Sequence, residues 1–147
     1  MRQMKFGGES TMPPFDPEFE YKIVFDGGAI GNPGKGYGSF EVSSGERVVQ
    51  HGHEDYVGRI TNNQAEYMTL IRSLRWLADH LGSTASTTSV EIWGDSQLVI
   101  NQLTGSWKVR NTGLLPLVRE AQTELGRFGK TRLRWHPRAF SVARLGH

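Results

Sequence analysis

Three acidic residues stand at the edges of apolar segments, and their placement points to shared chemistry. Asp26 closes the run Tyr21-Lys-Ile-Val-Phe-Asp26, Asp95 closes Val90-Glu-Ile-Trp-Gly-Asp95, and Glu66 ends Thr61-Asn-Asn-Gln-Ala-Glu66. An acid just past the core-forming part of a strand lies where an open α/β sheet presents its ligand groups, because the loops there are the first backbone free of the packed layers. Three converging carboxylates suit a hard divalent cation bound through oxygen, Mg2+ or Mn2+.

The elements that must position these acids are legible as periodicity. Between residues 61 and 82 the side chains Leu70, Ile71, Leu74, Leu77, Ala78 and Leu81 recur at helical spacing, so the segment reads as an amphipathic helix with one face on a core. Glu66 lies four residues before Leu70 and continues that stripe. Burying an unpaired charge costs on the order of several kcal/mol, so a compensating group is expected there, and a metal ion is one. Residues 21–25 read as a strand, 27–38 as a turn-rich hairpin connection, and 40–43 and 47–53 as two more strands. A small polar linker at 83–89 leads to a strand at 90–93 and then to a short helix at 96–103, capped by Asp95 or Ser96 and closed at Gly105. A helix at 114–128 and a strand at 131–135 follow. This order predicts an α/β fold, a mixed five-stranded sheet with helices on both faces. A right-handed crossover then pairs the strand after the first helix parallel to the first strand, which brings Asp95 beside Asp26.

The chain of 147 residues suits one domain. Residues 1–20 carry Gly7, Gly8, Pro13, Pro14 and Pro17 without periodicity and read as a flexible N-terminal leader, which leaves 21–147 as the domain. A formal charge of +2 and a pI near 9.1 exclude a uniformly basic nucleic-acid wrapper and leave room for a local basic face. The absence of cysteine excludes disulfides and thiolate metal sites. No apolar run approaches the roughly 20 residues of a membrane span and no signal-peptide core opens the sequence. A soluble, cytoplasmic protein is expected, with no obligate protein partner.

Four segments taken together carry a family resemblance. Asp26-Gly-Gly28 with the following Gly-Asn-Pro-Gly loop, Asn62-Asn-Gln-Ala-Glu-Tyr67, Gly94-Asp-Ser-Gln-Leu-Val99 and Gly105-Ser-Trp-Lys108 resemble ribonuclease H of type 1, in order and spacing, from Tyr21 to about Arg138. The resemblance implies a ribonuclease H-like fold and an endonuclease that cuts the RNA strand of an RNA/DNA hybrid with two Mg2+ ions, Mn2+ being a possible substitute. It implies that Asp26 bridges both ions while Glu66 and Asp95 complete the one at the leaving group. It further implies Gly27 and Gly28 near ribose 2′-hydroxyls, Asn62, Asn63 and Gln64 in the minor groove, Ser96 among the substrate contacts, Trp107 against a deoxyribose, and Lys108, Arg110 and Asn111 on DNA phosphate.

The resemblance breaks at the C-terminal end. The family continues from a Trp-x-Pro-Arg-like segment into a helix of the form Asn-x-x-Ala-Asp, whereas this chain has Trp135-His-Pro-Arg138 with Ser141 near the Asn slot and Leu145 near the Asp slot. No Asp or Glu occurs after Glu124. Either His147 takes the catalytic place of the fourth acid, with His136 a weaker candidate inside its strand, or three carboxylates suffice with phosphate and water. A catalytically weak or inactive hybrid-binding module is the alternative function.

Overall fold

The computed structural model describes residues 15–146. His147 and residues 1–14 of the expected leader lie outside the described residues. Five strands, β1 (Tyr21–Ile30), β2 (Gly34–Ser44), β3 (Arg47–Ile60), β4 (Ser89–Gly94) and β5 (Lys130–Trp135), form one sheet in the order β3-β2-β1-β4-β5. The β1-β2 and β2-β3 pairs are antiparallel, and β1-β4 and β4-β5 are parallel. This is the expected mixed sheet, with Asp95 carried to the side of Asp26 by the crossover through α1 (Asn62–Leu81).

One sheet face carries the core. Ile23, Phe25, Phe40, Val42, Val90 and Ile92 meet Tyr67, Leu70, Leu74, Leu77 and Ala78 of α1, together with Val99 of α2 (Gln97–Leu103) and Val118 and Ala121 of α3 (Leu115–Leu125). Each such side chain contributes roughly 1.5–3 kcal/mol by leaving water. The helix α1 starts at a capping box, in which Thr61 Oγ1 accepts from the Gln64 N–H and Gln64 Oε1 accepts from the Thr61 N–H. It stops at Gly82, whose φ of 59° favours glycine.

The opposite face is polar and is partly covered by α4 (Arg138–Leu145). Glu41 on β2, nearly inaccessible, accepts from Arg144 Nε at 2.6 Å and lies 3.6 Å from His51. Glu91 on β4, equally buried, accepts from Arg132 Nε at 2.9 Å. Arg144 therefore pins α4 to the sheet.

Four segments depart from the sequence-based expectation. Residues 27–30 and 34–38 are strand, and the turn shrinks to 31–33. Their glycines are set by packing: a Cβ on Gly27 would stand 2.6 Å from the Ala65 carbonyl carbon, and one on Gly38 would overlap Thr69 Oγ1. The third strand runs on to Ile60, because Glu54 pairs with Arg72 at 3.3 Å and Tyr56 bonds Thr69 at 2.6 Å, both on α1. The polar linker is a 3-10 helix, Gly82–Thr87, in which the Thr84, Ser86 and Thr87 hydroxyls donate to carbonyls three residues back. Packing also extends past the expected boundary at residue 20. Phe19 is buried with the cations of Lys130 and Arg132 4.9 and 4.5 Å from its ring centre, and Asp16 pairs with Arg132 at 2.7 Å. Among the described residues no helix is long and apolar enough to cross a membrane.

Removing the Arg144 guanidinium takes from the buried Glu41 carboxylate its direct hydrogen-bond donor under α4. Arg144→Met is expected to destabilise the fold by about 2–3 kcal/mol in urea denaturation, and adding Glu41→Gln should recover most of the loss.

Candidate active site

The parallel pairing of β1 with β4 ends at Phe25 opposite Gly94. Asp26 and Asp95 are the next residues on each strand, so both carboxylates stand one step past the same rung, where the sheet splits. Glu66 arrives from α1, one helical turn beyond Asn62, and the bare Cα of Gly27 lets the helix backbone come close enough. One carboxylate oxygen from each of Asp26, Glu66 and Asp95 lies within 4.8 Å of the others. The structure thus brings together all three acids singled out from the sequence.

The electrostatics of this cluster are unfavourable as it stands. Burial, and then the Asp95 charge, raise the Asp26 carboxyl from 3.8 to about 7. Burial, followed by the charges of Asp26 and Asp95, pushes Glu66 well above the usual carboxylate range. Glu66 Oε2 and Asp95 Oδ2 are buried and accept no hydrogen bond among the described residues. Desolvated like charges with lone pairs left over and one shared focus fit a divalent cation bound through oxygen. Arg138, at the first turn of α4, supplies the nearby positive charge: its Nη1 lies 4.0 Å from Asp95 Oδ2, and its field lowers the carboxyls of both Asp26 and Glu66. In the sequence Arg138 stands only in the segment Trp135-His-Pro-Arg138, with no place among the expected site residues. A cation three residues beyond the end of β5, beside strands tipped with acids, was the available signal.

The caps are now assigned. Ser96 Oγ accepts from the Val99 N–H at 3.2 Å and caps α2, which leaves the Asp95 carboxylate to the cluster. Asn62 does not cap α1; its Oδ1 accepts from the Ala29 N–H at 2.8 Å while its own N–H donates to Asn32 Oδ1 at 3.0 Å. Gln64 is engaged in the capping box. Gly27 and Gly28 are both buried, Gly28 under the Tyr37 hydroxyl, so the structure gives each a packing reason to be glycine.

Beside the acids, a groove of about 620 Å³ runs between α1, α2 and the α2–α3 connection. Asn63, Trp107, Lys108, Arg110 and Asn111 line it together. Trp107 is half exposed and Lys108 and Arg110 are exposed, with no ion pair among the described residues. His136 lies just past β5 and is buried, its ring between Trp93 at 6.2 Å and Phe140 at 5.5 Å. Its Nδ1 donates to the Pro137 carbonyl, burial lowers its pKa, and it is not one of the clustered ligands. Ser141 is fully buried, and Leu145 brings no charge from α4.

Comparison with known proteins agrees with this geometry. The family model described as Reverse transcriptase-like matches residues 40–143. The crystal structure of RNase H1 from the halophilic archaeon Halobacterium salinarum superimposes with a TM-score of 0.73 and 33% identity, over 86% of this chain and 98% of that one. An RNase H1 from compost, solved in complex with an RNA/DNA hybrid, gives a TM-score of 0.74 at 28% identity over 80% and 86% of the two chains. A bifunctional protein of Mycobacterium tuberculosis is 39% identical over 118 residues, 80% of this chain and 31% of its own length. The chain thus spans about a third of that curated relative. Sheet order, carboxylate cluster and family model together define the ribonuclease H-like class of α/β domains. Within that class, the chain belongs to the type 1 ribonuclease H family.

A carboxyl raised on folding opposes the folded state once it ionises, so its stability contribution is present below the unfolded value near 4 and is lost as pH rises through about 7. Without divalent cations the protein should therefore melt at a lower temperature at pH 8 than at pH 5. Asp26→Asn should reduce that difference, as followed by circular dichroism.

Proposed function

We propose that the protein hydrolyses the RNA strand of RNA/DNA hybrids at the Asp26, Glu66 and Asp95 centre, with two Mg2+ ions held by these carboxylates and Mn2+ as a substitute. The observation that carries this reading is the meeting of three acid oxygens within 4.8 Å at the split end of the sheet. When bound, such ions supply an activated water, a stabilised leaving oxygen and neutralised phosphate charge. The chain's own residues do the rest. Arg138 offers a guanidinium to phosphate oxygens at the mouth of the centre, where the acids alone would repel them. The groove of Trp107, Lys108, Arg110 and Asn111 takes the DNA backbone, with the indole against a sugar and the cations on phosphate. Asn63 lines the same groove and reaches toward the minor groove of the hybrid.

A second reading has one observation in its favour. Leu145 stands where the resemblance expects an acid, and no acid follows Glu124, so a hybrid-binding module with weak cleavage fits the same surface. A cleavage assay on a hybrid with labelled RNA, in Mg2+ and separately in Mn2+, decides between them. His147→Ala in the same assay tests whether that residue stands in for the acid.

Asp26→Asn, Glu66→Gln and Asp95→Asn should each abolish cleavage and leave the circular dichroism spectrum unchanged, since shape is kept and ligand charge is lost. Full activity in Asp26→Asn would remove the assignment. Lys108→Ala should weaken hybrid binding and reduce the slope of log affinity against log salt by about one at most. An unchanged slope would show that Lys108 touches no phosphate.

A further inference from the structure

Asp95 is held at its backbone, while its carboxylate has only Arg138 nearby. Its carbonyl lies beyond the last rung of the ladder, and no backbone N–H takes it among the described residues. The indole of Trp135, at the end of β5, takes it instead: Nε1 donates to the Asp95 carbonyl at 3.0 Å. Trp135 is paired with Gly94, the last residue of β4, and its indole reaches one residue past it to Asp95. The next residue completes the grip, the His136 N–H donating to the Gly94 carbonyl at 3.0 Å. Arg138 lies 4.0 Å from the Asp95 carboxylate. Trp135, His136 and Arg138 thus fix the corner between β4 and α2 from one side, while Ser96 fixes its other end through the α2 cap.

We propose that Trp135 is a positioning residue for Asp95, its indole N–H setting the orientation in which the carboxylate joins Asp26 and Glu66, and through it the affinity of the centre for a divalent cation. The proposal rests on the metal-centre reading given above. The physical case is one of rigidity. Asp95 sits on the first backbone free of the sheet, where an unanchored peptide would rotate and carry its side chain with it. A cluster of like charges drives that rotation outward, because separating the carboxylates relieves their repulsion. The indole is suited to resist it: it has a single donor, two torsions to fix, and a ring wide enough to span from one strand to the next. Trp135 is 43% exposed, more than a side chain retained only for the core would be, and the hydrogen bond accounts for its place at the rim.

Trp135→Phe keeps an aromatic ring at this position and removes the donor. Mn2+ affinity of the protein without nucleic acid, read from the free-ion signal in electron paramagnetic resonance, should fall three- to tenfold. The Mg2+ concentration for half-maximal cleavage should rise in step, and the hybrid KM at saturating Mg2+ should stay within twofold. Unchanged Mn2+ affinity would overturn the proposal, and if KM rises alone, the ring is a substrate contact instead. A measurement on the unaltered protein guards against misfolding of the variant. The Trp135 indole N–H should exchange slowly in 15N NMR and shift on addition of Mg2+, and fast exchange would overturn the proposal. If the unaltered protein binds no Mn2+ at all, the metal-centre reading fails first, an outcome distinct from a variant that binds as tightly as the parent.

Discussion

The register of a single parallel strand pair governs the site. Because Phe25 opposite Gly94 is the last rung between β1 and β4, the chain delivers two acids side by side at the point where the strands part. A shift of one residue would turn either acid to the other face of the sheet. The core fixes that register, since Ile23 and Ile92 are opposed and fully buried among the α1 side chains. Hydrophobic packing thus sets the position of charges it does not touch. Gly27 extends the same logic to Glu66, because any side chain there would push α1 away.

Charge is the complementary constraint. The centre gathers three carboxylates with one guanidinium near them, and burial keeps two of the acids reluctant to ionise. The polar face of the sheet solves a similar difficulty differently, giving each buried acid an arginine in direct hydrogen bond, Arg144 to Glu41 and Arg132 to Glu91. Those pairs are satisfied and hold α4 and β5 in place. The acids of the centre retain unused lone pairs on Glu66 and Asp95, which is the difference between a structural ion pair and a site that can take a ligand.

Much of this was legible in the sequence, for identifiable reasons. The α1 stripe is long enough for helical periodicity to be unambiguous, and the spacing alone places Glu66 on it. The parallel pairing of β4 with β1 followed from crossover handedness. What escaped was set by contacts between distant segments. The glycines of 27–38 looked like turn residues because glycine marks turns and close packing alike, and only the neighbours Ala65 and Thr69 distinguish the two. Phe19 was hidden behind prolines, with its partners Lys130 and Arg132 more than a hundred residues away. Trp135 lacked any local signature and Arg138 had only its place just past β5, since their roles depend on Asp95 across a strand boundary. The choice between Asp95 and Ser96 as cap could not be made from neighbouring residues of equal preference.

The bonds of Asn62 carry a mechanical implication. By accepting from Ala29 and donating to Asn32, it fastens the β1–β2 turn to the first residue of α1, while Gly34 opposite Ile60 ties the same turn to the end of β3. The turn, the strand end and the helix start therefore move as one body. Glu66 rides on that body, about one 5.4 Å helical turn from Asn62. A nucleic acid pressing on the turn at the molecular surface would push on a lever whose far arm is a carboxylate of the centre.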